Sequence, residues 1–114
     1  MDAKPEPSWA VAPEKIQEAV RRIVEAAHPL KVILFGSRAR GAAAPDSDLD
    51  LLIIEREVPD RYSEMVRLDE SLRGLILPLD ILVIGERDFE DRSRTPGSVY
   101  YAARREGKVL YEAA

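Results

Sequence analysis

The sequence contains no cysteine. Disulfides, thiolate zinc sites and cysteine nucleophiles are therefore excluded, and a reducing cytoplasm is the expected location. There is one histidine, His28. It precedes Pro29 at the end of a helical pattern, where it reads as a surface group facing the helix dipole rather than a catalyst. No apolar run approaches the roughly 20 residues of a membrane helix, so no spanning segment is expected. Basic residues are outnumbered, 17 Lys and Arg against 21 Asp and Glu, for a net charge of −4. That balance argues against direct nucleic-acid binding, which needs cations to displace counterions from phosphate. Aromatics are sparse at 6%. The single tryptophan, Trp9, lies among Pro5, Pro7 and Pro13.

The composition is otherwise that of a folded domain, with 46% hydrophobic and 33% charged residues in a chain of 114. That length suits one core. Residues 1–12 have no apolar signal core and read as a flexible tail, leaving residues 13–114 as one domain.

Hydrophobic periodicity sets out the elements. Ile16, Val20, Ile23, Val24 and Ala27 share one face of a helix over Glu14 to Ala27. Lys31 to Phe35 is a short buried strand. Gly36 to Ser47 is a loop whose first half can open a short helix. Asp48 to Ile54 is a second strand. Arg61 to Gly74 is a second helix with Tyr62, Met65, Leu68 and Leu72 inward and Gly74 as its stop. Leu77 to Ile84 is a third strand. Glu86 to Arg94 is polar and of mixed charge, and reads as one helical turn or two. Ser98 caps a last helix from Val99 to about Arg105, and Lys108 to Tyr111 forms a final short strand. Strands alternating with helices predict an α/β or α+β domain, a small mixed sheet flanked by helices.

Two places break the pattern. In Ser47-Asp48-Leu49-Asp50-Leu51, residues two apart project to one face of a strand, so Asp48 and Asp50 point together. Asp is a poor strand former, and two adjacent carboxylates repel and resist burial. Asp80 is the only charge between Leu75 and Ile84. For a lone Asp-x-Asp, a turn residue plus a salt bridge to an arginine is the simpler reading. A third aspartate in an apolar strand, and the loop before the pair, reverse that preference. If the third strand lies beside the second, the three carboxylates converge. With no nearby His or Cys they form a hard oxygen set, suited to Mg²⁺ or Mn²⁺ rather than Zn²⁺.

The loop is Phe35-Gly36-Ser37-Arg38-Ala39-Arg40-Gly41. Gly36 permits a turn and a close approach of phosphate to the backbone. If Ser37 opens a helix, free N–H groups face the same point, and its hydroxyl adds a donor. Arg40, and after it Arg38, offers a charged fork for phosphate oxygens, although each is also an ordinary solvated loop residue. Ser47 can orient Asp48 or a nucleotide, or serve only as a turn residue. No Lys-Ser/Thr follows Gly41, so this is not a Walker loop. A triphosphate held here would bring its inner phosphates towards Asp48 and Asp50.

Taken together, Gly36-Ser37, then Asp48-Leu49-Asp50, then Asp80 in a later strand resemble the signature of the polymerase-beta nucleotidyltransferase superfamily. The wording Leu34-Phe35-Gly36-Ser37-Arg38-Ala39-Arg40-Gly41 resembles its minimal branch. The specific likeness covers Lys31 to Ile84. The resemblance implies a palm-like mixed sheet, with Asp48 and Asp50 binding two Mg²⁺ ions and Asp80 completing one of them. It also implies that Gly36 and Ser37 hold the triphosphate of ATP, and makes Asp80 the candidate for deprotonating an acceptor hydroxyl. Two cations about 4 Å apart assist an in-line displacement at phosphorus. Proteins of this branch pair with helical HEPN ribonuclease toxins and can act as antitoxins by adding AMP to a toxin tyrosine. The resemblance thus implies a protein partner, which would supply the acceptor surface that a chain this short is not expected to carry. The competing expectation is a catalytically weak nucleotide-binding module that neutralises its partner by contact alone. Whether the chain forms a homo-oligomer is left open.

Overall fold

The computed structural model describes residues 13–36 and 48–114. In chain order the elements are α1 (Pro13–Ala27), β1 (Lys31–Phe35), β2 (Leu49–Glu55), α2 (Arg61–Ser71), β3 (Leu79–Gly85), α3 (Glu86–Arg92), α4 (Val99–Glu106) and β4 (Lys108–Glu112). The strands form one mixed sheet in the order β3-β2-β1-β4. β1 is antiparallel to both β2 and β4, whereas β2 and β3 are parallel. The α2 crossover joins the parallel pair, as a parallel connection requires. Among the described residues no helix is long and apolar enough to cross a membrane.

The sheet is a middle layer with a core on each face. Val32, Leu34, Leu49, Leu51 and Ile53 alternate onto the face covered by Ala19 and Ile23 of α1 and Leu68 of α2. Ile33, Leu52, Ile54 and Ile84 take the other face, against Phe89 of α3 and Tyr100 and Ala103 of α4. β1, β2 and most of β3 are covered on both sides, and so they read as nearly continuous apolar runs; β4, at the sheet edge, is more exposed.

The element ends have local causes. α1 stops at His28, whose φ of 47° is left-handed, and the buried Pro29 follows. Asp60 caps α2, accepting from the Ser63 N–H at 3.1 Å. Ser98 caps α4, accepting from the Tyr101 N–H at 3.0 Å. α2 ends at Ser71, before the expected Gly74, and the glycine instead turns the chain with φ 86°. The mixed-charge segment after β3 forms a true helix, because Phe89 anchors it to the sheet.

One expectation is wrong. Tyr62 does not face inward; it is 76% exposed. The inward line of α2 runs through Met65, Leu68 and Leu72, and its first-turn position belongs to Arg61 at the same helical spacing. Arg61 donates through Nε to the Val83 carbonyl at 2.9 Å and through Nη2 to the Tyr100 hydroxyl at 2.9 Å. A polar side chain takes the inward slot because it satisfies groups that an aromatic ring would leave unpaired.

Candidate functional site

The C-terminal end of β1 and the N-terminal ends of β2 and β3 meet at one end of the sheet. Phe35 is registered with Asp50, and Asp50 with Asp80. Parallel neighbours lie about 4.8 Å apart, with side chains on the same face. Leu49 and Leu51 are committed to the α1–α2 core, so Asp50 points to the opposite face with Leu52 and Ile54. Asp80 shares that face with Leu82 and Ile84. Asp48, two residues before Asp50, lies just outside the strand. The Leu49 N–H donates to the Pro78 carbonyl at 2.8 Å, which ties the start of β2 to the approach to β3.

The electrostatics record this crowding. Burial raises the Asp50 pKa above the ordinary carboxylate value, and the charges of Asp80 and Asp48 add to the effect. Asp80 is raised as well, although the residue as a whole is exposed. Desolvation of its carboxyl comes first, then the charge of Asp48 and a hydrogen bond to it, then the charge of Asp69. No ion pair among the described residues joins Asp48, Asp50 or Asp80 to a Lys or Arg; those ion pairs lie elsewhere on the molecule. Within those residues, the salt-bridge alternative for Asp50 and Asp80 is not realised.

Gly36 closes this corner from the β1 side. Its φ is 79°, a left-handed conformation, and a Cβ built on it would collide with Oδ2 of Asp50. The glycine is therefore required twice, by its backbone angle and by the carboxylate lying against it. Ser37, Arg38, Arg40 and Ser47 lie outside the described residues, so of the expected phosphate turn only Gly36 is placed.

The donor set consists of three carboxylates with no His or Cys, which fits a hard divalent cation such as Mg²⁺. Among the described residues no three acidic, His or Cys side chains are already closed around a common point. Like charges resist that closure, and a cation between them would remove the resistance. One contributor had no signal in the sequence. Asp69 is an ordinary exposed residue of α2, and only the packing of α2 beside β3 brings its charge to bear on Asp80.

Two other features lie away from this corner. A groove of about 720 Å³ between α1 and β4, lined by Val20, Val24, Leu110 and Tyr111, is largely apolar. At the opposite end of β2, Glu55 and Glu64 form a carboxyl pair. Burial first, and then Glu64, raise Glu55 to about 8, while hydrogen bonding to Arg67 lowers Glu64. Neither carries a triad of acids beside a glycine turn.

Comparison with known proteins agrees with the architecture. A structure of a candidate nucleotidyltransferase from Sulfolobus solfataricus superposes with a TM-score of 0.63 at 24% identity, covering 87% of this chain and 78% of that one. A structure described as a toxin–antitoxin with AMP-PNP superposes with a TM-score of 0.58 at 18% identity, covering 90% of this chain and 75% of that one. At such identities the likeness is one of fold. No functionally curated protein matches the chain significantly. The family model described as nucleotidyltransferase domain matches residues 13–111, nearly the whole chain. With the mixed sheet and the aspartates at its end already in place, that match settles the family: the chain belongs to the nucleotidyltransferase domain family.

Proposed function

We propose that this protein transfers AMP from ATP to a hydroxyl group of a protein acceptor, with Mg²⁺ as the metal, and that the acceptor is a tyrosine of a HEPN-type toxin that the protein restrains. The observation that carries the transfer chemistry is the corner itself: Asp50 registered beside Asp80, Asp48 close enough to raise the Asp80 carboxyl, and Gly36 backed against Asp50. The family supports nucleotidyl transfer. The fold shared with a toxin–antitoxin structure containing AMP-PNP supports the choice of nucleotide and partner.

Asp48, Asp50 and Asp80 would hold the metal, with Mn²⁺ able to substitute. Bound there, the metal would neutralise charge on the attacking and leaving oxygens. Gly36 makes the turn that leads from β1 into the triphosphate loop, with its Cα backed against Asp50; Ser37 and Arg40 would donate to phosphate oxygens, and Ser47 would orient Asp48 or the nucleotide. The acceptor oxygen attacks the α-phosphorus in line, the bond to the bridging oxygen of the β-phosphate breaks, and pyrophosphate leaves. Asp80, the more exposed of the registered pair, receives the acceptor proton.

Purified protein with Mg²⁺, α-labelled ATP and the acceptor protein should yield labelled acceptor and pyrophosphate. Absence of transfer from every nucleoside triphosphate, with folded protein and acceptor present, would sink the proposal. If Asp48→Asn with Asp50→Asn keeps full protection against the partner, contact alone is the mechanism.

A further inference from the structure

Five large hydrophobic side chains are exposed among the described residues: Tyr62 (76%), Val66 (42%), Ile76 (57%), Val99 and Val109. The first three belong to one region. Tyr62, Val66 and Asp69 stand at i, i+4 and i+7 on α2, which places them in one line along the helix. The opposite flank of α2 faces α1, since Arg67 donates to the Ala26 carbonyl at 2.7 Å. The Tyr62–Val66–Asp69 line therefore overlooks the outer side of β3, the edge strand of the sheet. It leads towards the candidate site, because α2 packs on β3 and its C-terminal end returns the chain to the start of β3, where Asp80 stands beside Asp50. Ile76 lies in the segment between α2 and β3 that delivers Asp80 to its place.

We propose that this flank is the docking surface for the acceptor protein, and that the acceptor presents apolar side chains flanked by Lys or Arg, with its reactive hydroxyl beyond them. The proposal rests on the protein-acceptor reading above. Three observations choose this occupant. The apolar strip is continuous with the candidate site, so a segment lying along it ends at Asp80. The strip's site end carries the exposed Asp69, while Arg73, just past the end of α2, is paired with Glu70 at 2.7 Å. That potential attracts a basic segment and repels a phosphate backbone, which sets a nucleic-acid acceptor aside. Finally, β3 offers only part of its edge for strand addition, because Arg61 already occupies the Val83 carbonyl. Recognition then falls to side chains on the helix flank.

The test uses the full chain, isotopically labelled for NMR, and a synthetic peptide with one tyrosine between leucines and lysines. A peptide with glutamates for the lysines and an oligoadenylate RNA serve as controls. Titration should move the backbone signals of Tyr62, Val66, Asp69 and Ile76 and leave Val109 unmoved, with affinity falling as salt rises. The variant Tyr62→Ser/Val66→Ser/Ile76→Ser changes only exposed side chains. It should bind the peptide at least about tenfold more weakly with its MgATP affinity unchanged. Signal changes centred on the α1–β4 groove, equal binding by the variant, or preference for the acidic peptide or the RNA would each overturn the proposal. Binding on the strip, with no label passed to the acceptor protein itself, would uphold the docking surface and refute the transfer reading. Transfer with an unchanged KM in the variant would do the reverse.

Discussion

Replacing Gly36 with alanine tests the corner at its tightest point. Two costs follow from the structure. The left-handed φ of 79° charges an alanine about 1–2 kcal/mol. The new methyl also meets Oδ2 of Asp50, so the carboxylate must leave its rotamer, at about 0.5–1.5 kcal/mol more. A loss of about 1.5–3.5 kcal/mol should lower Tm by roughly 10 °C in a domain of this size. The functional effect should be larger, because a displaced metal-binding carboxylate misplaces the reacting atoms, and a shift of about 1 Å can cost about 100-fold in rate. Gly74 is the matched control. Its φ is 86°, with nothing within 4 Å of a built Cβ. Gly74→Ala should carry the backbone cost alone and keep full transfer activity. Thermal denaturation followed by circular dichroism, with MgATP titration and label transfer on both variants, separates the two contributions. If Gly36→Ala transfers label as well as Gly74→Ala does, the carboxylate at Gly36 is not part of the machinery and the reasoning is wrong.

Asp50→Asn should raise Tm in metal-free buffer, because it removes a half-buried charge held beside Asp48 and Asp80; added Mg²⁺ should then stabilise the wild-type chain and leave the variant unchanged, and equal Mg²⁺ responses would count against the metal assignment. Glu55 has a folded pKa of about 8 against an ordinary 4.5. Its protonated form is the one the fold favours, so its contribution is complete below about 4.5 and is lost as pH rises through 8. Tm should fall between pH 5 and about 8.5, and Glu55→Gln should flatten that fall; an unchanged slope would show that the Glu55–Glu64 pair is not its source. Arg61→Met should cost about 1–3 kcal/mol in urea denaturation, by leaving the Val83 carbonyl and Tyr100 hydroxyl without their partner. A loss near zero would mean water replaces the guanidinium freely.

The elements were largely legible because their causes are local. The period of α1, the apolar runs of β1, β2 and β3, and the Ser98 cap all act within a few residues. The shortfalls have local appearances and distant causes. Tyr62 suits a core by its chemistry, but Arg61 takes the inward position because the Val83 carbonyl and the Tyr100 hydroxyl need a donor there. The segment Glu86–Arg92, by contrast, forms the short helix its sequence allowed, and Phe89 holds it against the sheet. Boundaries shifted by a few residues where strand pairing, rather than composition, ends an element: β2 begins at Leu49 and β3 at Leu79, where they become partners.

For the candidate site, the sequence alone determined the cast. Three aspartates in apolar surroundings and a glycine before them are anomalies of local preference, visible without a fold. It also singled out Asp48 and Asp50 as a close pair, two residues apart where an apolar strand begins. Only the tertiary structure decided that Asp80 stands beside Asp50, because parallel register depends on how α2 returns the chain. It alone showed that Gly36 is fitted to the Asp50 carboxylate, and that Asp69 adds its charge from a neighbouring helix. Those are contacts between segments distant in sequence, set by packing that no local pattern encodes.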